Sequence, residues 1–258
     1  MELIDTHCHL DVADFDADRR QVLERARQQG VQSMVVPAVD AEHWAGLIQL
    51  CDSDQALFPA LGLHPVYLQV HKPEDISALE SEIEQRRPVA VGEIGLDYFI
   101  RELDREKQRV LFEAQLEVAR NAGLPVILHV RKAHDQALSI LRRIRVRGGS
   151  AHAFNGSLQQ ARQYIDMGFK LGFGGMLTYQ RSHRLRRLAA ALPVDAIVLE
   201  TDAPDMVVAA HRGERNSPEY LPYCLRALAE VRNEDDDFLA RQTTVNARSV
   251  FALPGMPP

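Results

Sequence analysis

The sequence has few of the residues that stabilise small secreted domains. It contains three cysteines in 258 residues, Cys8, Cys51 and Cys224, an odd and widely spaced set that excludes a disulfide framework and a cysteine zinc knuckle. No apolar run approaches the roughly 18 to 20 residues that span a bilayer, and the N-terminus is acidic where a signal peptide would be basic. These absences predict a cytoplasmic protein without membrane attachment.

An excess of positive charge is also missing. The 30 Lys and Arg residues are outnumbered by 36 Asp and Glu residues, which gives a formal net charge of −6 and excludes binding of nucleic acid through bulk electrostatics. No stripe of aromatic residues of the kind that binds single strands is evident. Two acid-free arginine runs, 142–147 and 181–187, are candidates for local contacts, although such runs are more often solvated helix faces. No obligate protein partner is indicated.

Short apolar runs rich in β-formers alternate with longer stretches of helical periodicity. The predicted strands are Leu3–Thr6, Ser33–Val36, Leu57–Leu61, Val89–Val91, Val126–Leu128, Ser150–His152, Phe169–Gly172 and Ile197–Leu199. The predicted helices lie near 17–29, 41–51, 74–86, 105–122, 134–144, 157–167, 183–191 and 219–231, with a ninth near 236–251. Gly30, Gly123 and Gly168 are expected to end helices in the left-handed conformation.

Eight successive βα units predict an α/β fold with a closed parallel (β/α)8 barrel, and about 250 residues suffice for one such barrel. We therefore expect a single domain over residues 1–258. The alternative is an open, doubly wound sheet. However, no strand is followed by a G-x-G-x-x-G or G-x-x-x-x-G-K-[ST] phosphate loop, which disfavours the nucleotide-binding forms of that fold.

Polar side chains that bind metals stand where the predicted strands end, which is where (β/α)8 barrels carry their chemistry. Each of these side chains alone is a weak signal, since a single histidine is usually structural. Their joint position at one rim predicts a metal centre. The residues are His7 and His9 after strand one, His64 after strand three, Glu93 after strand four, His129 after strand five, His152 after strand six and Asp202 after strand eight.

The number of candidate ligands indicates two ions. His7 and His9 are two residues apart and can face one ion, while Cys8 between them points away. One catalytic ion takes about three protein ligands, so four of these imidazoles, those of His7, His9, His129 and His152, and the two carboxylates fit two divalent cations, with Glu93 as the candidate bridge. The mixed donor set suits Zn or Mn better than Mg. Asp202 is a candidate to bind metal and hold the attacking water, or else to cap a helix before Pro204.

Three motifs closely resemble those of the TatD family of metal-dependent deoxyribonucleases, close to its YjjV-type branch. They are the segments 3–11 (LIDTHCHLD), 125–135 (PVILHVRKAHD) and 199–204 (LETDAP), and 62–65, 92–97 and 246–251 extend the resemblance over nearly the whole chain. It implies a distorted TIM barrel of the metallo-dependent hydrolase type. It also implies one ion on His7, His9 and Asp202, a second on His129 and His152, and Glu93 between them.

The resemblance further implies that His64 and Arg131 face the scissile phosphate of DNA, and that the enzyme shortens single strands from the 3′ end. From the residues alone, His64 can instead hydrogen-bond the barrel rim, and Arg131 can pair with Asp135 or Glu93. Two other functions stay open. One is hydrolysis of a small cyclic amide or ester by an amidohydrolase-type enzyme, many of which carry a carboxylated lysine where this chain has Glu93. The other is a non-catalytic, metal-binding role in DNA repair.

Overall fold

Eight parallel strands form one sheet whose spatial order follows the chain in this computed structural model, which describes residues 2–255. The strands are β1 (Leu3–Asp5), β2 (Val31–Pro37), β3 (Leu57–Leu61), β4 (Ala90–Asp97), β5 (Val126–Arg131), β6 (Gly149–Ala151), β7 (Phe169–Phe173) and β8 (Ile197–Leu199). Thr6 joins the two edges, because its backbone N and its Oγ1 each donate to the carbonyl of Leu199 at 3.0 Å. The sheet is therefore a nearly closed barrel, and the open-sheet alternative is wrong.

Helices alternate with the strands as the periodicity predicts. They are α1 (Arg19–Gln28), α2 (Trp44–Asp52), α3 (Asp75–Arg86), α4 (Arg105–Ala122), α5 (His134–Arg143), α6 (Leu158–Asp166), α7 (His183–Ala191), α8 (Leu221–Arg232) and α9 (Asp236–Phe251). Gly30, Gly123 and Gly168 adopt φ angles of 89°, 66° and 85°, so the predicted left-handed helix ends are confirmed. None of the helices within residues 2–255 is long and apolar enough to cross a membrane.

The fourth strand differs most from its prediction. Sequence patterning placed it at Val89–Val91, but β4 runs from Ala90 to Asp97 with a register irregularity between Val91 and Ile94. In the sequence, two glycines so close together indicate a turn. In the barrel, Gly92 and Gly95 instead allow β5 to approach β4 closely, since a Cβ on Gly95 would lie 2.0 Å from the carbonyl oxygen of His129. Glu93 therefore lies inside an irregular strand rather than after its end.

The opposite end of the barrel is sealed by α9. Buried residues of six strands form a separate apolar cluster with Val250 and Phe251 of this helix; those strand residues are Ile4, Val35, Ala60, Ala90, Ile127 and Val198. Asn246 secures the helix by donating to the carbonyl oxygens of Val194 and Ile197, at 2.8 and 2.7 Å. Burial at this end leaves the carboxyl ends of the strands as the face that carries the polar side chains.

Candidate metal centre

The six side chains predicted as metal ligands lie close together at the carboxyl end of the barrel. Within residues 2–255, three groups of side chains each have ligand atoms within 4.8 Å of one another. These groups are His7, His9 and Asp202; His7, Glu93 and His152; and His64, Glu93 and His129. His7 and His9 converge as their spacing predicts, with 3.1 Å between their Nε2 atoms. Cys8 between them is buried and belongs to none of the three groups.

Glu93 lies between two sets of imidazoles. Its Oε2 is 3.1 Å from Nε2 of His7 and 3.4 Å from Nε2 of His9. Its Oε1 is 3.0 Å from Nδ1 of His129 and 3.3 Å from Nε2 of His64. Because the two carboxylate oxygens face different partners and the side chain is 2% exposed, Glu93 is positioned to share its charge between two neighbouring sites.

Asp202 faces the same cluster from the segment that follows β8. Its Oδ1 lies 3.6 and 3.7 Å from the Nε2 atoms of His7 and His9, and its Oδ2 lies 3.6 Å from Nε2 of His152. Its backbone N donates to the carbonyl of His7 at 2.8 Å. No helix begins at this residue, whose φ is +59°, so the alternative of a helix cap is wrong.

Two carboxylates that sequence reasoning did not select orient the imidazoles from behind. Oδ2 of Asp97 lies 3.0 Å from Nε2 of His129, and Oε1 of Glu200 lies 3.1 Å from Nδ1 of His152. Each carboxylate approaches the ring nitrogen that does not face Glu93 or Asp202, and the Asp97 contact with His129 is a hydrogen bond of the kind that fixes ring orientation and raises ligand basicity in metal sites. Their signal was present in the sequence, since Asp97 and Glu200 flank predicted ligands within four positions.

The charges in the cluster strongly perturb its pKa values. Burial opposes protonation of His9 and His152, but the neighbouring carboxylates outweigh it and raise their pKa values to about 9 and about 10. Burial and the adjacent His152 hold the pKa of His7 well below its usual value. Burial also raises the pKa of Asp202 to about 6. Protons or cations are therefore needed to balance the carboxylates in this buried space.

His64 has one defined protonation state. Its Nδ1 accepts a hydrogen bond from the backbone N of Val66 at 3.1 Å, so the ring proton resides on Nε2, which faces Glu93. Burial lowers its pKa to about 4, which keeps the ring neutral near pH 7. His64 is thus a hydrogen-bond donor toward the cluster, and it also begins the short 3-10 helix Pro65–Tyr67 at the barrel rim.

Arg131 is exposed and lines a cavity of about 610 Å³ together with His129, His152 and Asp202. It makes no ion pair with Glu93 or Asp135; its guanidinium instead covers the ring of Phe99, 3.7 Å from the centroid. Of the two arginine runs, 181–187 lies beside this cavity, where Leu185 contributes to its wall. The run 142–147 lies between α5 and β6, at the opposite end of the barrel.

The donor set fits divalent cations. The rings of His7 and His152 are stacked with centroids 3.7 Å apart, a separation at which two imidazolium charges repel strongly. Neutral imidazoles and ionised carboxylates are the forms that bind metals, and this mixture of nitrogen and oxygen donors suits Zn or Mn. The carboxylates behind His129 and His152 complete the arrangement usual for metal-binding histidines.

Comparisons with known proteins agree with this geometry. The family described as "TatD related DNase" matches residues 4–252. The chain is 41% identical to the uncharacterized metal-dependent hydrolase YjjV of Escherichia coli, over 97% of this chain and 98% of that one. It is 31% identical to the uncharacterized metal-dependent hydrolase YabD of Bacillus subtilis, over 97% and 99% of the two chains.

Solved structures show the same relationship. The crystal structure of Escherichia coli YjjV superimposes with a TM-score of 0.94 at 41% identity, covering 98% of both chains. An uncharacterized amidohydrolase of Saccharomyces cerevisiae shares the fold with a TM-score of 0.82 at 20% identity, over 97% of this chain and 99% of that one. The match over nearly the whole length shows that this chain belongs to the TatD family and is a metal-dependent hydrolase with a TIM-barrel fold.

Proposed function

We propose that this protein is a divalent-metal-dependent deoxyribonuclease that acts on single-stranded DNA from the 3′ end. The observation that carries the proposal is Arg131, whose side chain forms no ion pair within residues 2–255 and lines the same cavity as the metal cluster. A planar guanidinium beside metal ligands is suited to a phosphodiester. The family description "TatD related DNase" supports DNA as the substrate, and the direction of cleavage rests on family resemblance.

We assign His7, His9 and Asp202 to one ion, His129 and His152 to the second, and Glu93 to both. The assignment is supported by the opposed contacts of the two Glu93 oxygens and by the proximity of Asp202 to His7 and His9. When bound, two divalent ions lower the pKa of a water and neutralise charge on the attacked and leaving oxygens of a phosphodiester. The ring centroids of His129 and His152 are 6.4 Å apart, on the cavity side of the cluster.

Three side chains of the protein supply the other catalytic and binding roles. Asp202 orients the attacking water and accepts its proton, a role suited to a carboxylate that lies beside His7, His9 and His152. His64 donates from Nε2 to an oxygen of the phosphate, where negative charge increases as the water attacks. Arg131 binds a second oxygen of the same phosphate and orients the strand.

A second candidate is hydrolysis of a small cyclic amide or ester. It is favoured by the apolar part of the cavity wall, formed by Phe154, Phe173, Met176 and Leu185, and by a cavity volume of about 610 Å³. A third, the non-catalytic, metal-binding role in DNA repair, gives no reason for His64 to present an Nε2 donor toward the cluster beside an open cavity. Substrate preference therefore separates the first two candidates, and loss of turnover on mutation of Asp202 separates both from the third.

The test is cleavage of end-labelled single-stranded and duplex DNA by metal-stripped protein, with Mn, Zn or Mg added back. We expect ladders that shorten from the 3′ end, require metal, and are absent with Asp202→Asn. Protein that binds two ions yet cleaves no DNA with any of the three metals would contradict the nuclease assignment. Turnover of small esters or amides by that same protein would establish the second candidate.

A further inference from the structure

A second pocket lies next to the metal cluster. It has a volume of about 590 Å³, and its lining residues are Tyr98, Phe99, Arg101, Glu102, Arg105 and Lys132. Most of these residues follow β4, and Lys132 follows β5, so the pocket opens on the same face of the barrel as the predicted ligands. Arg131 forms part of the main cavity wall and covers Phe99 of this pocket, so the two cavities are adjacent.

The pocket is positively charged although the chain as a whole is negative. Three of its side chains, Arg101, Arg105 and Lys132, are cationic, and Glu102 is its one carboxylate. Within residues 2–255, neither these three cations nor Arg131 form an ion pair. Several arginines elsewhere on the barrel are paired, as Arg143 is with Glu113 at 2.5 Å. The cations of the pocket are therefore available to an anionic ligand.

An exposed aromatic ring stands among these cations. Phe99 is 53% exposed, and the guanidinium of Arg131 lies 3.7 Å from its ring centroid. Arg105 covers the neighbouring Tyr98 in the same manner, with 4.8 Å to the ring centroid. More than half of the Phe99 side chain stays exposed beside this guanidinium, and proteins that bind single strands combine aromatic rings with cations to stack nucleobases. Aromatic and cationic groups together match the chemistry of a nucleotide.

The pocket is held at a fixed position relative to the metal cluster. Oδ1 of Asp97 accepts hydrogen bonds from the backbone N of Phe99 at 2.9 Å and of Ile100 at 3.2 Å. Its other oxygen lies 3.0 Å from Nε2 of His129, a predicted ligand. The backbone N of Tyr98 also donates to the carbonyl of Arg131 at 2.8 Å. A strand whose phosphate lies at the cluster would therefore meet Phe99 at a constant distance.

We propose that this pocket is a nucleotide subsite for single-stranded DNA, in which the base next to the cleaved bond stacks on Phe99 and its phosphate is bound by Arg101, Arg105 and Lys132. The subsite rests on the proposed nuclease function. It supplies the aromatic and basic contacts that the net charge and the sequence pattern do not reveal. It also explains how a chain of net charge −6 binds a polyanion through local contacts.

The variants that test the subsite are Phe99→Ala, Phe99→Trp and the control Phe238→Ala. Phe238 is a similarly exposed phenylalanine, at 40%, on α9 at the sealed end of the barrel. Binding of a fluorescent single-stranded oligonucleotide is measured by anisotropy with metal-stripped protein, and KM and kcat are measured with metal. For Phe99→Ala we expect Kd and KM to rise about tenfold, with a smaller change in kcat, as loss of one stacked base predicts. Phe99→Trp restores binding.

An abasic substrate identifies the contact directly. Oligonucleotides that lack the base on one or the other side of the cleaved bond are compared for the wild type and Phe99→Ala. At the position that occupies the subsite, removing the base should raise KM of the wild type about tenfold. The same removal should have no further effect on Phe99→Ala, because the ring that the base contacts is already absent.

The nuclease assignment and the nucleotide subsite are contradicted by different results. If the wild type cleaves DNA and Phe99→Ala has the Kd and KM of Phe238→Ala, the nuclease assignment stands and the subsite is wrong. If removing the base on either side of the cleaved bond raises KM of Phe99→Ala by the same factor as it raises KM of the wild type, the stacking contact is likewise wrong. If the wild type cleaves no DNA with any metal, the proposed function is wrong and the subsite falls with it.

Discussion

Asp5 and Thr201, 196 positions apart in sequence, are joined by two hydrogen bonds at the barrel seam. Oδ2 of Asp5 accepts from Oγ1 of Thr201 at 2.5 Å, and its Oδ1 accepts from the backbone N of Thr201 at 3.0 Å. Oδ1 also accepts from the backbone N of His7 at 3.2 Å. One buried carboxylate therefore fixes the segment that carries His7 and His9 against the segment that carries Asp202.

The first prediction concerns this seam. Thr201→Val removes the hydroxyl donor to Asp5, and we expect the free energy of unfolding to fall by about 1–3 kcal/mol because a buried acceptor loses its partner. Metal affinity should fall about tenfold, since the two ligand segments lose their alignment. Thr244→Val is the matched control, because Thr244 lies on α9, away from the cluster, and its hydroxyl donates to the backbone carbonyl of Glu2. Urea unfolding and calorimetric metal titration measure the two effects; equal metal affinity in both variants would contradict the prediction.

The second prediction concerns the space behind His152. A Cβ on Gly172 would lie 2.0 Å from Oε2 of Glu200, so Gly172→Ala must displace the carboxylate that contacts His152. We expect a loss of about 1–3 kcal/mol in the free energy of unfolding, together with weaker metal binding. Gly46→Ala is the control, because nothing lies within 4 Å of its Cβ on α2 and alanine favours the helix. Gly46→Ala should be neutral or stabilising, and a stable Gly172→Ala protein with normal metal affinity would refute the steric argument.

The third prediction links metal binding to pH. The carboxylates raise the pKa values of His9 and His152 to about 9 and about 10, so at pH 7.5 both rings are protonated when metal is absent. Imidazole binds metal only when neutral, so loading the cluster should release about two protons at pH 7.5, and metal affinity should rise with pH until about 10, where His152 also loses its proton. Asp202, with a pKa of about 6, is already ionised and releases none. Calorimetry in buffers of different ionisation enthalpy counts the protons; enthalpies independent of the buffer would contradict this.

The fourth prediction separates His64 from the predicted ligands. Because its Nδ1 accepts from Val66 and its proton lies on Nε2, His64→Ala should leave metal content unchanged while kcat falls about a hundredfold. His183→Ala, on an exposed histidine of α7, provides the control and should retain kcat. Metal analysis and steady-state kinetics on the same preparations check both statements. Loss of one ion per chain in His64→Ala would show that His64 is a ligand instead.

The fold was predictable because its signals are local. The alternation of apolar runs with helical periodicity predicted eight βα units, and α7 and β8 lie where their patterns placed them. The length of β4 was not predictable, since Gly92 and Gly95 indicate a turn when they are read alone. They are accommodated in a strand only because β5 packs closely against it, which is a tertiary contact that local patterns do not contain.

The candidate site was partly predictable for the same reason. The convergence of His7, His9 and Asp202 follows from the rule that barrel strands end at one face. The contacts of Asp97 with His129 and of Arg131 with Phe99 depend on side-chain directions across neighbouring strands. No sequence spacing encodes those directions, so neither contact was predicted.

The most direct test of the account is a metal titration of the stripped protein during cleavage of labelled single-stranded DNA. Zn or Mn is added in fractions of one equivalent, bound metal per chain is measured, and the cleavage rate is recorded at each point. We predict that the rate rises to a plateau at two bound ions per chain and that Glu93→Gln, which weakens the shared carboxylate, lowers that plateau. Full activity with one bound ion, or two bound ions without DNA cleavage, would contradict the account.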